Sequence, residues 1–346
     1  MSLIRIGLIG AGNISATHAR AVDGIEGAHV AAVYGPTRAR AEHLAKSCGA
    51  RAYDSLDEFF SGQALDLVVI GTPSGLHGVH GAAAARRGIH VLVEKPIEIS
   101  TFRADALIAT ARESGVRLGV IFQDRLKRDV LALKAHVDSG ALGTPVLIRA
   151  QVPWWRPPEY YRQSAWRGTW ALDGGGALMN QGIHTVDLTC WLGGPIARVS
   201  GRAATRFHSI EVEDTAVAVL EFANGALGTI EATTCAYPGR ARRIEVIGTL
   251  GTAILDGDRL VAAAADGAAS SVPENAASPA VNDPSAHRAV LGDFIDAIRN
   301  QSAASCDGVE GRRSLAVVEA VYAASRSGTP VLVKSDEIPI TIGRCV

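Results

Sequence analysis

LIRIGLIGAGNIS, residues 3–15, is the stretch whose reading decides the fold. A compact apolar run over 3–9 leads straight into Gly10-Ala11-Gly12-Asn13-Ile14-Ser15, where a helical pattern opens. The first glycine permits a tight turn, and the second lets a phosphate group approach the backbone. There the free N–H groups and the helix dipole stabilise negative charge. Ser15 stands where a third glycine or alanine is usual, and it is small enough to keep the helix packed closely. Taken alone, the match is weak and could be a plain glycine-rich turn. Its context makes it strong.

Outward from this stretch, short apolar runs recur at 30–34, 67–70, 90–93 and 117–122, with Ala-rich helical segments such as 38–48 and 78–88 between them. Apolar runs of this kind suit strands buried on both faces, and their alternation with helices implies right-handed crossovers and a parallel sheet. Residues 1–122 are therefore expected to form a Rossmann, dinucleotide-binding α/β domain with a doubly wound sheet. From 123 the pattern changes to that of a larger α+β domain, 123–346. A helix near 125–139 and a strand near 146–152 come first. A loop rich in Trp and Arg, a glycine run and a second helix follow. Strand-like runs at 215–222 and 226–234 flank Asn224-Gly225, a hairpin signal because both turn positions need positive φ. Runs at 243–247 and 253–255 continue the antiparallel meander. Residues 262–286, Ala-, Ser-, Pro- and Asn-rich without period, read as an exposed loop. Helices near 287–299 and 312–325 and a strand near 330–333 close the chain.

Composition narrows the function. An apolar fraction of 47% across 346 residues provides a real core, and a net charge of -1 gives no reason to expect nucleic acid or an anionic membrane. A small-molecule partner is expected. Five cysteines, widely spaced and odd in number, fit a reduced, cytoplasmic protein. The first residues read as a strand rather than a signal peptide, and no apolar run reaches membrane-spanning length.

Where a dinucleotide with a free ribose 2′-hydroxyl would meet an acid after the second strand, the chain has Gly35-Pro36-Thr37-Arg38. Thr37 and Arg38 suit a 2′-phosphate, although Arg38 also reads as an ordinary exposed helix residue. The expected cofactor is NAD(P), with this feature favouring NADP. Glu94-Lys95-Pro96 follows the run at 90–93, at the carboxyl edge where open α/β sheets bind ligands. Lys95 thus points at the crevice, and Pro96 restricts the backbone beside it, with a cis bond as one possibility. Farther on, Asp173-Gly174-Gly175-Gly176 precedes Asn180, His184 and Asp187. The glycines would let backbone approach a ligand, and the three side chains fall on neighbouring faces of a helix. Oxidising a carbinol needs a base for the hydroxyl proton and stabilisation of the alkoxide, roles that suit His184 and Lys95.

GAGNISATHA at the start, the EKP triplet and GGGALMNQGIHTVD at 174–187 together resemble the glucose–fructose oxidoreductase, inositol dehydrogenase and rhizopine-catabolism (Gfo/Idh/MocA) family. VEDTA at 212–216 and EGRRSLAVVEAVY at 310–322 extend the likeness through nearly the whole chain. The resemblance implies hydride transfer on sugars or polyols, and dimers or tetramers formed through a large, open, mostly antiparallel sheet. It assigns Lys95 and His184 to the catalytic pair. Gly10, Gly12, Asn13, Ile14, Thr72, Pro73, His77, Glu94 and Lys95 would line the cofactor, joined by Gln123, Trp166 and Arg167. Thr37 and Arg38 would hold the adenosine end. At position 180 the chain departs from the D-x-x-x-H pattern of inositol-dehydrogenase-like members. An amide holds no charge to polarise His184, so Asn180 is expected to bind a substrate hydroxyl instead.

Four of the five tryptophans lie between 154 and 170, interleaved with Arg156, Tyr160, Tyr161, Arg162 and Arg167. Aromatic faces stack on sugars and arginines hold carboxylates or phosphates, so an acidic or nucleotide-bearing sugar is expected. The same loop also reads as packing against the first domain or another subunit. Tyr161, Arg162, Asn180, Asp187 and Arg125 are the candidate substrate contacts. His18 reads as structural or near the cofactor. The remaining histidines, His287 included, form no evident ligand set, and no metal is expected. A non-catalytic dinucleotide-binding regulator, and a glycosidase-like enzyme using transient oxidation with a retained NAD, are the rival readings.

Overall fold

A computed structural model of the chain describes residues 3–264 and 283–334. Six strands, β1 (Ile4–Ile9), β2 (Ala28–Tyr34), β3 (Arg51–Tyr53), β4 (Leu67–Ile70), β5 (His90–Glu94) and β6 (Leu118–Ile121), form a sheet in the order β3-β2-β1-β4-β5-β6. Every pairing in it is parallel. Helices α1 (Asn13–Val22), α2 (Arg38–Cys48), α3 (Leu56–Ser61), α4 (His77–Ala85) and α5 (Thr101–Glu113) supply the crossovers. The strand order reverses between β1 and β4, which places a ligand crevice at their carboxyl ends. The edge strand β3 is three residues long and was not expected from the sequence, because Arg51-Ala52-Tyr53 carries no apolar run.

After α6 (Arg128–Asp138) the chain builds a second sheet. Its strands are β7 (Pro145–Pro153), β8 (Ile196–Ala204), β9 (Thr215–Phe222), β10 (Leu227–Thr233), β11 (Arg243–Gly248), β12 (Gly251–Asp256), β13 (Arg259–Ala264) and β14 (Val331–Leu332). They lie in the order β13-β12-β11-β7-β10-β9-β8-β14, antiparallel except for the β7–β10 pair. The expected hairpin is β9–β10, but of its turn residues Asn224 and Gly225 only Gly225 takes positive φ: the loop spans 223–226, so the two-residue turn that would need both is not formed. Strand β13 takes up residues expected to begin a loop, and the rest of that loop, 265–282, lies outside the described residues. Helices α7 (Pro158–Arg162), α8 (Ile183–Gly193), α9 (Ser285–Asn300) and α10 (Gly308–Ser327) are the other helices of the second half among the described residues.

Two apolar cores divide the molecule. One runs from the first sheet through α8, α10 and the inner face of the second sheet. The other joins β1, β4, α1 and α9 through Ile6, Leu8, Leu67, Val69, Leu291 and Phe294. Helix α9 therefore packs on the nucleotide-binding sheet, although it lies far beyond residue 122 in sequence. No described helix is long and apolar enough to cross a membrane.

Candidate active site

At the end of β1, Gly10 adopts φ +117°, and a Cβ there would sit 2.8 Å from the Gly71 carbonyl oxygen, so only glycine fits. Gly12 caps α1 with extended backbone, and the space beside it is open. Asn13 and Ile14 begin the helix, leaving their N–H groups aimed at the crevice. Across the switch point, Thr72 and Pro73 leave β4 half-buried. Gln123, after β6, keeps a buried side-chain oxygen without a hydrogen-bond partner. An open cradle at a helix N-terminus together with an orphaned amide oxygen fits a dinucleotide carrying a carboxamide.

Three residues expected to touch the cofactor are engaged elsewhere. His77 is buried, with Nδ1 2.8 Å from the Pro96 carbonyl and Nε2 3.0 Å from that of Thr72, so it ties two loops together behind the crevice. The Glu94 carboxylate turns inward, 2.9 Å from His18 Nε2. Arg38 caps no phosphate position: its guanidinium pairs with Glu42 at 2.7 Å and Asp54 at 3.4 Å, while Thr37 is the N-cap of α2. The acids beside Arg38 thus come from α2 and from the residue after β3.

Lys95 stands at the carboxyl edge as expected, and the Lys95–Pro96 bond is cis. Its ammonium donates to the Asn180 carbonyl at 3.0 Å, linking the first sheet to the turn before α8. Burial lowers the Lys95 pKa, opposed by the charges of Glu94, Asp173 and Asp124. His184 opens α8 against the edge of Phe122, and its Nδ1 lies 3.9 Å from Asp124 Oδ2. Burial pushes His184 down to about 3, with Asp124 pulling the other way. The ring is therefore held in its neutral form.

Asn180 does not share one regular helix with His184. Residues Ala177–Gln181 form a π turn, Gly182 breaks it, and α8 begins afterwards. The Asn180 amide donates to buried Asp173 and accepts from Gln181 Nε2 at 3.0 Å. The glycine run approaches protein rather than ligand: a Cβ on Gly176 would meet the Glu213 carbonyl at 1.8 Å. Glu213 in turn accepts from the N–H groups of Gly176 and Leu178 and from the Tyr322 hydroxyl, each at 2.8 Å.

Of the other expected substrate contacts, Arg125 and Asp187 are joined in a buried bidentate pair at 2.7 and 2.6 Å, with Glu310 on the remaining guanidinium nitrogen. They clamp the end of β6 to α8 and α10. Tyr161 is buried with its hydroxyl on Thr234, and Arg162 points to solvent beside Glu159. Sequence distance concealed these arrangements. The residues that do gather near Lys95 are Asp124, Asp173, Arg156, Tyr160 and Gln181. Arg156 donates twice to Gln181 Oε1, at 2.9 and 2.7 Å, and Gln181 donates to the Tyr160 hydroxyl at 2.9 Å. The guanidinium groups of Arg156 and Arg167 lie 5.2 and 4.3 Å from the Tyr160 ring centroid, and Trp166 lies 5.5 Å from Arg167. Neither arginine forms an ion pair among the described residues. Asp124 had a signal in the sequence, an acid between two chosen neighbours at a strand's carboxyl end, but nothing there tied it to His184.

The expectation that the histidines form no set is corrected. His18, Glu94 and His287 meet in the interior with one donor atom each within 4.8 Å of the others, brought together by α1, β5 and α9. Burial disfavours the Glu94 charge, but the His18 hydrogen bond and the nearby His18, His287 and Lys95 hold its pKa at about 2.

Comparison with known proteins agrees with this geometry. Residues 4–122 match the model of an oxidoreductase family with an NAD-binding Rossmann fold, and residues 130–254 match the GFO/IDH/MocA C-terminal domain. The WlbA dehydrogenase of Bordetella pertussis, solved with NADH and UDP-GlcNAcA, is 31% identical. That match covers 96% of this chain and 100% of the other, with a TM-score of 0.88. The scyllo-inositol 2-dehydrogenase (NAD(+)) of Bacillus subtilis is 29% identical over 261 residues, 72% of either chain. The myo-inositol 2-dehydrogenase of Thermotoga maritima is 28% identical over 264 residues, 74% of this chain and 76% of its own.

Proposed function

The chain belongs to the Gfo/Idh/MocA oxidoreductases, and from that membership we propose that it is an NAD-dependent dehydrogenase of a sugar bearing an anionic group. Hydride passes between a nicotinamide cofactor and a carbinol. The observation that carries this reading is the convergence of Lys95, from the end of the parallel sheet, with the turn and helix that hold Asn180 and His184. The bound cofactor supplies the hydride acceptor. Neutral His184 takes the hydroxyl proton, and the Lys95 ammonium stabilises the developing alkoxide, an attraction that is stronger in a buried site than in water. Gly10, Gly12, Asn13, Ile14, Thr72, Pro73 and Gln123 hold the dinucleotide.

NAD rather than NADP is favoured because Arg38 is already paired with two carboxylates, which would repel a 2′-phosphate. The anionic substrate is inferred from Arg156 and Arg167, half-buried around Tyr160 without a carboxylate partner. A uronate, sugar phosphate or nucleotide sugar would complete that charge, and the UDP-GlcNAcA bound by the WlbA dehydrogenase is of this class. Residues 1–122 serve the cofactor, and 123–346 serve substrate and self-association. The outer face of the second sheet exposes Val217, Val219 and Leu227, an apolar strip suited to a homodimer, from which a homotetramer could be built. The four described cysteines are free, in keeping with a cytoplasmic setting.

Absorbance at 340 nm with NAD or NADP and a panel of polyols, aldoses, uronates, sugar phosphates and nucleotide sugars tests the reading. Turnover with NAD and an anionic sugar is expected. Arg156→Ala should raise KM about tenfold or more, the scale of a lost charged hydrogen bond. A preference for neutral polyols, or an unchanged KM in that variant, would remove the anionic part of the proposal. Product formed without net NADH would instead identify a closed oxidation–reduction cycle.

A further inference from the structure

His184 has an acidic neighbour, but not the one its sequence pattern suggests. The amide at position 180 is turned toward Asp173 and Gln181. The charged groups facing His184 are Asp124, Lys95, Arg242 and Glu94. Of the two carboxylates, Glu94 is engaged with His18, which leaves Asp124. We propose that Asp124, in the turn after β6, is the positioning residue that orients His184 and stabilises its protonated form.

This inference rests on reading His184 as the base. Asp124 is buried, with Oδ1 held by Lys127 at 2.7 Å and Oδ2 accepting from Arg242, so both oxygens of its carboxylate are anchored beside His184. Its Oδ2 faces His184 Nδ1 at 3.9 Å, and that nitrogen is buried without any hydrogen-bond partner. Catalytic hydrogen bonds are often long before substrate binds, and closing this one needs a movement of about 1 Å. With its proton on Nδ1, facing Asp124, the ring presents a bare Nε2 to the substrate. During oxidation the hydroxyl proton moves to Nε2, the carbinol hydride leaves to the nicotinamide, and Asp124 becomes the counter-ion of the imidazolium. Burial alone drives His184 to be a very weak base, and the Asp124 charge is the largest influence restoring its basicity. The required carboxylate is thus delivered by another element rather than by the preceding helical turn.

Two measurements test this on the full chain. In protein carrying 15N-labelled histidine, NMR should find the His184 proton on Nδ1, and Asp124→Asn should shift it toward Nε2. In turnover assays the same variant should lose about 10²–10⁴-fold in kcat, the usual worth of an assisted base, with NAD affinity and KM near parental values. Asp124→Glu should recover part of that loss. Asp258 pairs with the same Lys127 and Arg242, so Asp258→Asn disturbs the ionic cluster without facing His184. It should leave tautomer and kcat unchanged. A parental Nε2–H tautomer, an unaltered tautomer in Asp124→Asn, or an equal loss of kcat in Asp258→Asn would overturn the proposal. A parent without dehydrogenase turnover would count against the proposed function instead, because the tautomer result judges Asp124 independently.

Discussion

The two sheets of this molecule solve the same burial problem differently. In the first, β4 reads Leu-Val-Val-Ile and all four residues are buried, because crossover helices and α9 cover both faces. In the second, β9 and β10 alternate buried and exposed residues, because α8 and α10 cover one face only. A sheet covered on both faces can meet a ligand only at its edge, and Lys95 stands there. A sheet covered on one face presents side chains from its covering helices, His184 among them, and leaves its outer face exposed. The proposed catalytic pair takes one member from each arrangement.

The strongest way to break this partnership is to cut the clamp between the two regions. Arg125→Ala leaves Asp187 buried and unpaired, and should cost about 3–5 kcal/mol of stability in denaturant unfolding. A loss below about 1 kcal/mol would mean that the clamp does not hold the regions together. Next comes the contrast within one strand. Leu220→Ala on the covered face of β9 should cost about 2–5 kcal/mol, whereas Val219→Ala should stay within about 0.5 kcal/mol for the monomer and weaken self-association. Equal costs at the two positions, measured at concentrations that separate monomer from dimer, would erase the distinction between the faces.

Lys95 sharpens the comparison through pH. Burial lowers its pKa below the ordinary 10.5, and the proposed chemistry needs it charged. The rate should therefore fall as pH rises, with its alkaline limb below the usual lysine range. A limb at or above that range would argue that Lys95 is not the group stabilising the alkoxide. The smallest effect is expected at Arg38, whose exposed pairs with Glu42 and Asp54 are worth little. Arg38→Ala should change NADP affinity by no more than about threefold. A large loss of NADP binding would restore the phosphate-binding reading of this arginine.

Much of this was legible in residues 3–15 and in the runs that follow. Apolar segments separated by helical ones specify a parallel sheet, and Gly10 needs a conformation closed to other residues. The Asn224-Gly225 hairpin and the strand-end position of Lys95 could be read for the same reason, since each depends on neighbouring residues. Strand β3 was missed because three edge residues carry too little pattern. Arg125 and Asp187 were mistaken for substrate contacts because pairing across 62 positions leaves no local trace.

The sequence by itself determined the alternating strands and helices of the first sheet, the glycine turn after β1 and the strand-end position of Lys95, because backbone conformation and periodic burial are local properties. Only the tertiary structure decided which polar groups meet: Arg38 with its two acids, Glu94 with His18, Arg125 with Asp187, and Asp124 beside His184. Ion pairs and hydrogen bonds act over a few ångströms of space, and packing brings those atoms together without regard to their separation along the chain.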